Sequence, residues 1–230
     1  MAFSHGSKTK VYVNGYDLSA YFKSAKYQAK VDTAETTTFG AAAKTYIPGL
    51  PDATVSLEGI YDGSPNAVDQ VLQAALGKPG VMVLLPQGDG NGSVGYGLSN
   101  IETSVEIDSP VDDVTGISAE VQSTSGMERI TTLHPLQAEA AAGNGTGIDQ
   151  TAATSNGGAG YLEMVSGSSV TVKIQHSNDN GSTDPWADVV AFTAASGGSA
   201  QRVAVTGTIK RYVRVTWSGA ATFYVGLARF

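Results

Sequence analysis

The sequence predicts an all-β fold: a β-barrel or sandwich with one flanking α-helix, followed by a second, smaller β-sandwich. Three observations carry this. Apolar and polar residues alternate with period two over several short segments. The chain holds 28 glycines in 230 residues, which suits strands joined by tight turns. Only one stretch combines helical periodicity with start and stop signals.

The elements follow in order. Val11 and Val13 alternate with Tyr12 in the first strand. The stretch from Asp32 to Gly63 is too polar, and too rich in Thr, Gly and Ala, to be a core strand throughout. Its second half holds an alternating strand, in which Ala53, Val55 and Leu57 oppose Thr54, Ser56 and Glu58. The alternation slips at Gly59, which predicts a bulge there. A helix follows: Ser64 can cap it, Pro65 suits its first position and Gly77 the residue past its end. Val68, Val71, Leu72 and Leu76 share one face of that helix. Val81 to Leu85 has the length of a buried strand, and Gly88 to Gly92 reads as a hairpin tip. Ile101, Val105 and Ile107 then oppose Glu102, Ser104 and Glu106, and Ile117, Ala119 and Val121 oppose Ser118 and Glu120. Pro135 is expected to help end the last strand of this part.

Residues 1–136 therefore read as one domain. Residues 137–160 are rich in Ala, Gly, Thr and Asn and read as a flexible linker. Residues 161–230 read as a β-sandwich, with Val170, Val172 and Ile174 on one face, then Val213, Val215 and Trp217, then Phe223, Val225 and Leu227.

Composition narrows the function. Charged residues make up only 15% of the chain, so much of its surface is expected to be hidden in an assembly. There is no cysteine, which excludes disulfides and thiolate metal sites and fits a reducing compartment. The first residues lack the apolar core of a secretory signal, and no apolar run approaches the length that spans a bilayer. The net charge of −7 is unevenly placed. Residues 1–51 carry 6 basic and 3 acidic side chains, residues 52–135 carry 2 and 12, and residues 136–230 carry 6 of each. A basic segment beside an acidic one suits head-to-tail association.

Catalytic signatures are sparse. His5, His134 and His176 are scattered, without a second ligand at metal-binding spacing. The Gly88 to Gly92 run lacks the Lys-Ser/Thr and the helix of a phosphate loop. Asn178 to Asp184 has calcium-type oxygen ligands in Asp179, Asn180 and Asp184, without the full loop spacing or terminal glutamate, and reads as a solvated turn. Lys210, Arg211 and Arg214 stand beside Tyr212 and Trp217, but their alternation along a strand argues against a nucleic-acid patch. No enzyme activity and no cofactor are expected.

The segment of residues 32–50 carries Phe39, Tyr46, Ile47 and Leu50, which a solvated loop does not need. It reads as an arm that packs on another subunit. Upstream lies Asn14-Gly15-Tyr16-Asp17-Leu18-Ser19. The order and spacing of Gly15 to Ser19, Asp32 to Gly40, Lys44 to Gly49 and Ala53 to Gly63 resembles the N-terminal half of the major tail tube proteins of long-tailed, siphovirus-like bacteriophages.

The resemblance implies a structural virion protein. Hexameric rings would stack head-to-tail into the tail tube, a conduit for genome ejection into the host cell. Phe39, Tyr46, Ile47 and Leu50 would anchor the arm, with the N-terminus, on the next ring, and Lys44 would meet an acidic neighbour. Glu58, Glu102, Glu106 and Glu120 would line the channel, where carboxylates repel DNA phosphates and let DNA pass without specific binding. Other partners would be tape measure, terminator and distal tail proteins. The location would be the virion tail, with the host cytoplasm during assembly. Residues 161–230 would sit on the tube exterior, where weak cell-surface glycan contact through Trp186, Trp217 and Tyr224 is one role. Removal of 137–230 would then leave assembly intact. Two other classes remain open: a carbohydrate-binding adhesion protein that forms no polymer, and a hydrolase using Glu58 or Glu102.

Overall fold

A computed structural model describes residues 5–230. The first four residues, to which part of the N-terminal contact was assigned, lie outside the described residues. Among the described residues the chain is all-β with one α-helix, after a single 3-10 turn at Gly6–Lys8. Its strands are β1 (Lys10–Val13), β2 (Tyr16–Asp17), β3 (Phe22–Glu35) and β4 (Tyr46–Ile60), and helix α1 (Val68–Ala75) follows. Next come β5 (Pro79–Leu85), β6 (Val94–Asp108), β7 (Gly116–Ser123) and β8 (Glu128–Glu139). The remainder holds β9 (Gly143–Asn144), β10 (Ile148–Asp149), β11 (Gly158–Gly167), β12 (Val172–Ser177), β13 (Ala187–Ala191), β14 (Ser199–Val205), β15 (Tyr212–Trp217) and β16 (Ala221–Arg229).

One large sheet runs β14-β11-β16-β8-β6-β5-β1-β2, and the leaf β7-β4-β3 branches from the far half of β6. A second sheet, β10-β15-β12-β13 with β9 on β15, covers the β11 and β16 end. Sequence order hides the join. The last strand, β16, pairs antiparallel with β8, so the C-terminal strands continue the sheet of the N-terminal ones.

Three cores follow. The first lies between the leaf, α1 and β1, β5 and β6, with Val55, Leu57, Leu72, Leu98 and Val121 inside. The second lies between the two sheets of the C-terminal part and holds Leu162, Val172, Val215, Trp217 and Phe223. The third sits where the large sheet curls on itself, and both halves of the chain fill it: Tyr12, Val83 and Leu85 from one side, Tyr161, Tyr224 and Ala228 from the other. For this reason β11 and β16 are buried on both faces. Phe223, Val225 and Leu227 enter one core while Tyr224 and Ala228 enter another.

Several sequence expectations change here. Residues 137–160, read as a linker, carry the end of β8, the short paired strands β9 and β10, and the start of β11. Trp217 Nε1 donates to the Ala141 carbonyl at 2.8 Å, which fixes that segment on the second sheet. Pro135 does not end a strand. It lies inside β8 at a point where the β8–β16 register shifts, which spares it a ladder bond. The bulge expected at Gly59 belongs to β3: Phe22 pairs with Gly59 and Ser24 with Glu58, leaving Lys23 as the extra residue. Helix α1 starts after Ala67 with no side-chain cap, because Ser64 is used in a preceding turn that ends at Asn66, φ 63°. Val68, Val71, Leu72 and Ala75 are its buried face, and Leu76 turns outward at the C-cap before Gly77, φ 71°.

Candidate functional site

The leaf is the part with a distinctive surface. Its strands run β3-β4-β7-β6 in antiparallel order. One face packs on the first core and the other faces out. The register aligns the outward residues in rows. Ser24, Glu58, Ser118 and Glu106 form one row, and Lys26, Ser56, Glu120 and Ser104 the next. Ser56 Oγ donates to Glu120 Oε2 at 2.8 Å. Glu58, Glu106 and Asp108 border a shallow depression of about 280 Å³ over Ser118.

Glu102 does not join these acids. It is 1% exposed and sits opposite Val121, which belongs to the core. The cause is a bulge in β6 between Glu102 and Ser104. The extra residue reverses the alternation, so the strand's two halves present opposite parities outward. Among the described residues neither Glu102 oxygen has a hydrogen-bond partner, and burial pushes its carboxyl up to about 8. The Gly77 N–H, just past α1, donates to the Glu102 backbone carbonyl. Period-two reading placed this glutamate outside because a bulge leaves no mark in composition.

Both lateral edges of the leaf are open. Among the described residues β3 pairs only with β4, and β6 beyond Glu102 pairs only with β7. The β3 edge carries Lys23, Lys26 and Lys30, of which only Lys30 has an ion pair among the described residues, with Asp52 at 3.5 Å. The β6 edge carries Glu106 and Asp108, which have none among the described residues.

The arm is not a loop. Strands β3 and β4 continue as a two-stranded hairpin well past the rest of the sheet, closed by residues 36–45. Pro48 and Pro51 lie in this overhang, beyond the last β4–β7 pair at Thr54. Without a third strand, every side chain from residue 31 to 51 is exposed. Phe39 is fully exposed, Leu50 85%, Ile47 55% and Tyr46 52%. Lys44 is engaged within its own hairpin, with Nζ donating to Glu35 Oε2 at 3.0 Å. At the opposite end of the same strands the β6–β7 turn exposes Val111 and Val114, next to Ile107 and Ile60. Sequence reading missed this second apolar cluster; its signal is two valines in the acidic turn Ser109-Pro110-Val111-Asp112-Asp113-Val114.

The other candidates dissolve into structure. Trp217 and Tyr224 are buried in separate cores, and Trp186 lies under the Arg214 guanidinium at 4.5 Å, so the three form no sugar platform. Lys210 is held by Asp184, Arg211 by Asp149 and Arg214 by Gln175. Asp179 accepts from the Thr183 hydroxyl and from the Ser182, Thr183 and Asp184 N–H groups, and the Thr183 hydroxyl, then the Thr183 and Asp184 N–H groups, hold its carboxyl well below the usual carboxylate range. Asp89, at the Gly-rich tip, accepts from Tyr12 Oη and the Leu136 N–H, both at 2.8 Å. His134 is buried, stacked on Phe223 at 4.3 Å, and Nε2 lies 3.2 Å from Glu139. His5 bonds Ser7 at the start of the described residues, and His176 accepts from the Lys210 N–H. Among the described residues no cluster of three or more His, Asp or Glu could hold a metal ion.

No family model and no curated protein matches this chain. Solved structures do. The chain is similar to a component of the virion of a native gene transfer agent particle, with 10% identity over 55% of this chain and 98% of that one, TM-score 0.48. It is similar to a component of an extracellular contractile injection system, described as a sheath/tube terminator in the extended state, with 13% identity over 56% and 97%, TM-score 0.46. It is also similar to the SPP1 Dit protein, described as a paradigm of the hub adsorption apparatus in phages infecting Gram-positive bacteria, with 13% identity over 96% and 99%, TM-score 0.39. Likenesses at this level transfer no residue's role to this chain.

Proposed function

We propose that the chain is a structural subunit of a phage-type tail tube, in which copies close into a ring and rings stack into a hollow tube. The leaf carries this reading. Two open edges on opposite sides of one sheet leave unpaired N–H and C=O groups that a folded protein normally covers. Four strands in antiparallel alternation leave β3 and β6 running in opposite directions. A second copy, related by rotation about a common axis, can therefore lay its β3 antiparallel on β6, and the same step repeats until the ring closes. The lysines of β3 and the acids of β6 favour that order over like-edge pairing.

Glu58, Glu106 and Glu120 then face the channel, and their charge keeps DNA from adhering as it passes. The arm, with Phe39, Tyr46, Ile47 and Leu50, reaches the next ring. That contact is heterologous and grows a filament. The sequence resemblance supplies the six-fold count, the role in genome ejection and the tail proteins expected at the two ends. The C-terminal sheets would form the outer wall, joined to the tube through β8 and β16.

Electron microscopy of the purified protein across a concentration series tests this reading. Rings or hollow tubes are expected, and a tube map would place Glu58, Glu106 and Glu120 on the lumen. Particles whose subunits meet through the C-terminal sheets, with both leaf edges exposed, would overturn it.

A further inference from the structure

The large sheet curls into a near-closed barrel around the third core, but among the described residues its ends do not pair. The path stops at β14 on one side and β2 on the other. At this seam the Asn14–Gly15 turn packs on β11 and β14. A Cβ on Gly15, φ 86°, would lie 2.3 Å from the Ser199 nitrogen, so only glycine allows the approach. Among the described residues one hydrogen bond crosses from this turn to the C-terminal strands: the Gly15 N–H donates to Glu163 Oε2 at 2.6 Å.

Glu163 is fully buried and its other oxygen, Oε1, has no partner. Among the described residues its surroundings offer no positive charge. Tyr224 lies across on β16 and Ala200 across on β14. Tyr12 packs on Tyr224 with the rings tilted and their centroids 5.2 Å apart, and is itself bonded to Asp89. On the elements packed around β11, Arg202 is engaged by Glu128, Arg229 by backbone carbonyls and Asp17 by Ser19. Two cavities flank the seam, of about 350 and 660 Å³, and both are bordered by Tyr16, Asn66 and Gly198. The first cavity also borders Asn14 and the second Asp17, so solvent stands on either side of the turn, while Glu163 behind it lines neither cavity.

We propose that Glu163 is a protonation latch: as the neutral acid it holds the Asn14–Gly15 turn on β11, and on losing its proton it releases the turn so that the two cavities join. The charged form bonds an N–H more strongly than the neutral form, but full burial without a cation costs more than that gain. Water entering through the flanking cavities relieves the cost only if the turn moves away. Burial accordingly holds the carboxyl well above its ordinary range. The device is independent of tube formation and acts in the isolated subunit.

Hydrogen exchange of the Gly15 amide as a function of pH tests it, in the full chain and in Glu163→Gln, which keeps an acceptor oxygen but cannot ionise. After correction for intrinsic exchange, protection at Gly15 should fall about ten-fold per pH unit above the acid's unfolded value in the natural protein. It should stay flat in the variant. Equal profiles in both proteins would overturn the latch. If the variant does not fold, infrared spectroscopy of Glu102→Gln, which removes the other buried carboxyl, decides: a protonated carboxyl band at neutral pH that disappears as Gly15 exchange accelerates supports it, and its absence at neutral pH refutes it.

Discussion

Cutting the chain after Glu139 should abolish folding of what remains, not merely remove an appendage. The cut keeps β1 to β8 and deletes β11 and β16, which form one wall of the third core. Tyr161 and Tyr224 are fully buried there. A buried tyrosine hides about 150–250 Å², worth roughly 4–6 kcal/mol at about 25 cal/mol per Å². The two together represent about 10 kcal/mol, within the whole stability of an ordinary domain, about 5–15 kcal/mol. The cut also strips β8 of its β16 partner and uncovers Leu133 and His134, which pack on Phe223. The assay is urea unfolding followed by far-ultraviolet circular dichroism, since the fragment lacks both tryptophans. The full chain should unfold in one transition seen alike by tryptophan fluorescence and dichroism, and the fragment should show no cooperative transition. A fragment that unfolds cooperatively near the full-length midpoint would refute the shared core and restore the separable domain that composition suggests.

Other perturbations probe the rest. The Glu102 carboxyl is raised from its ordinary 4.5 to about 8 by burial, so the unfolded chain ionises first and stability falls as pH rises between those values. The loss approaches about 5 kcal/mol, and Glu102→Gln should remove that share of the slope, leaving the share of Glu163, in unfolding curves taken at pH 5 and pH 8; an identical slope would sink the assignment. Arg202→Ala leaves Glu128 without its cation, with the Tyr161 hydroxyl still donating to it, in a half-buried site that ties β14 to β8, and should cost about 3 kcal/mol in urea unfolding. Phe39→Ser with Leu50→Ser should leave the monomer's melting temperature within about a degree, because neither side chain is buried, while abolishing tubes in micrographs. Lys23→Glu with Lys26→Glu places acids on both leaf edges and should block ring closure at low salt, read as a monomer by light scattering.

The all-β class, the single helix and most strand positions are legible in the sequence, because period two and period 3.6 are local properties of a chain. The exposed arm is legible too: Phe39, Tyr46, Ile47 and Leu50 stand in a stretch whose composition cannot bury them. Tertiary structure decided the rest. The bulge in β6 moved Glu102 from the acidic face to the core, a one-residue shift that no alternation pattern records. The join of β16 to β8 turned an apparent linker and separate sandwich into a continuation of one sheet, because pairing between strands far apart in sequence depends on which faces remain to be covered. Strand β16 shows why: the run Phe223-Tyr224-Val225-Gly226-Leu227-Ala228 reads as one buried face, yet it is buried on both, since each face closes a different core.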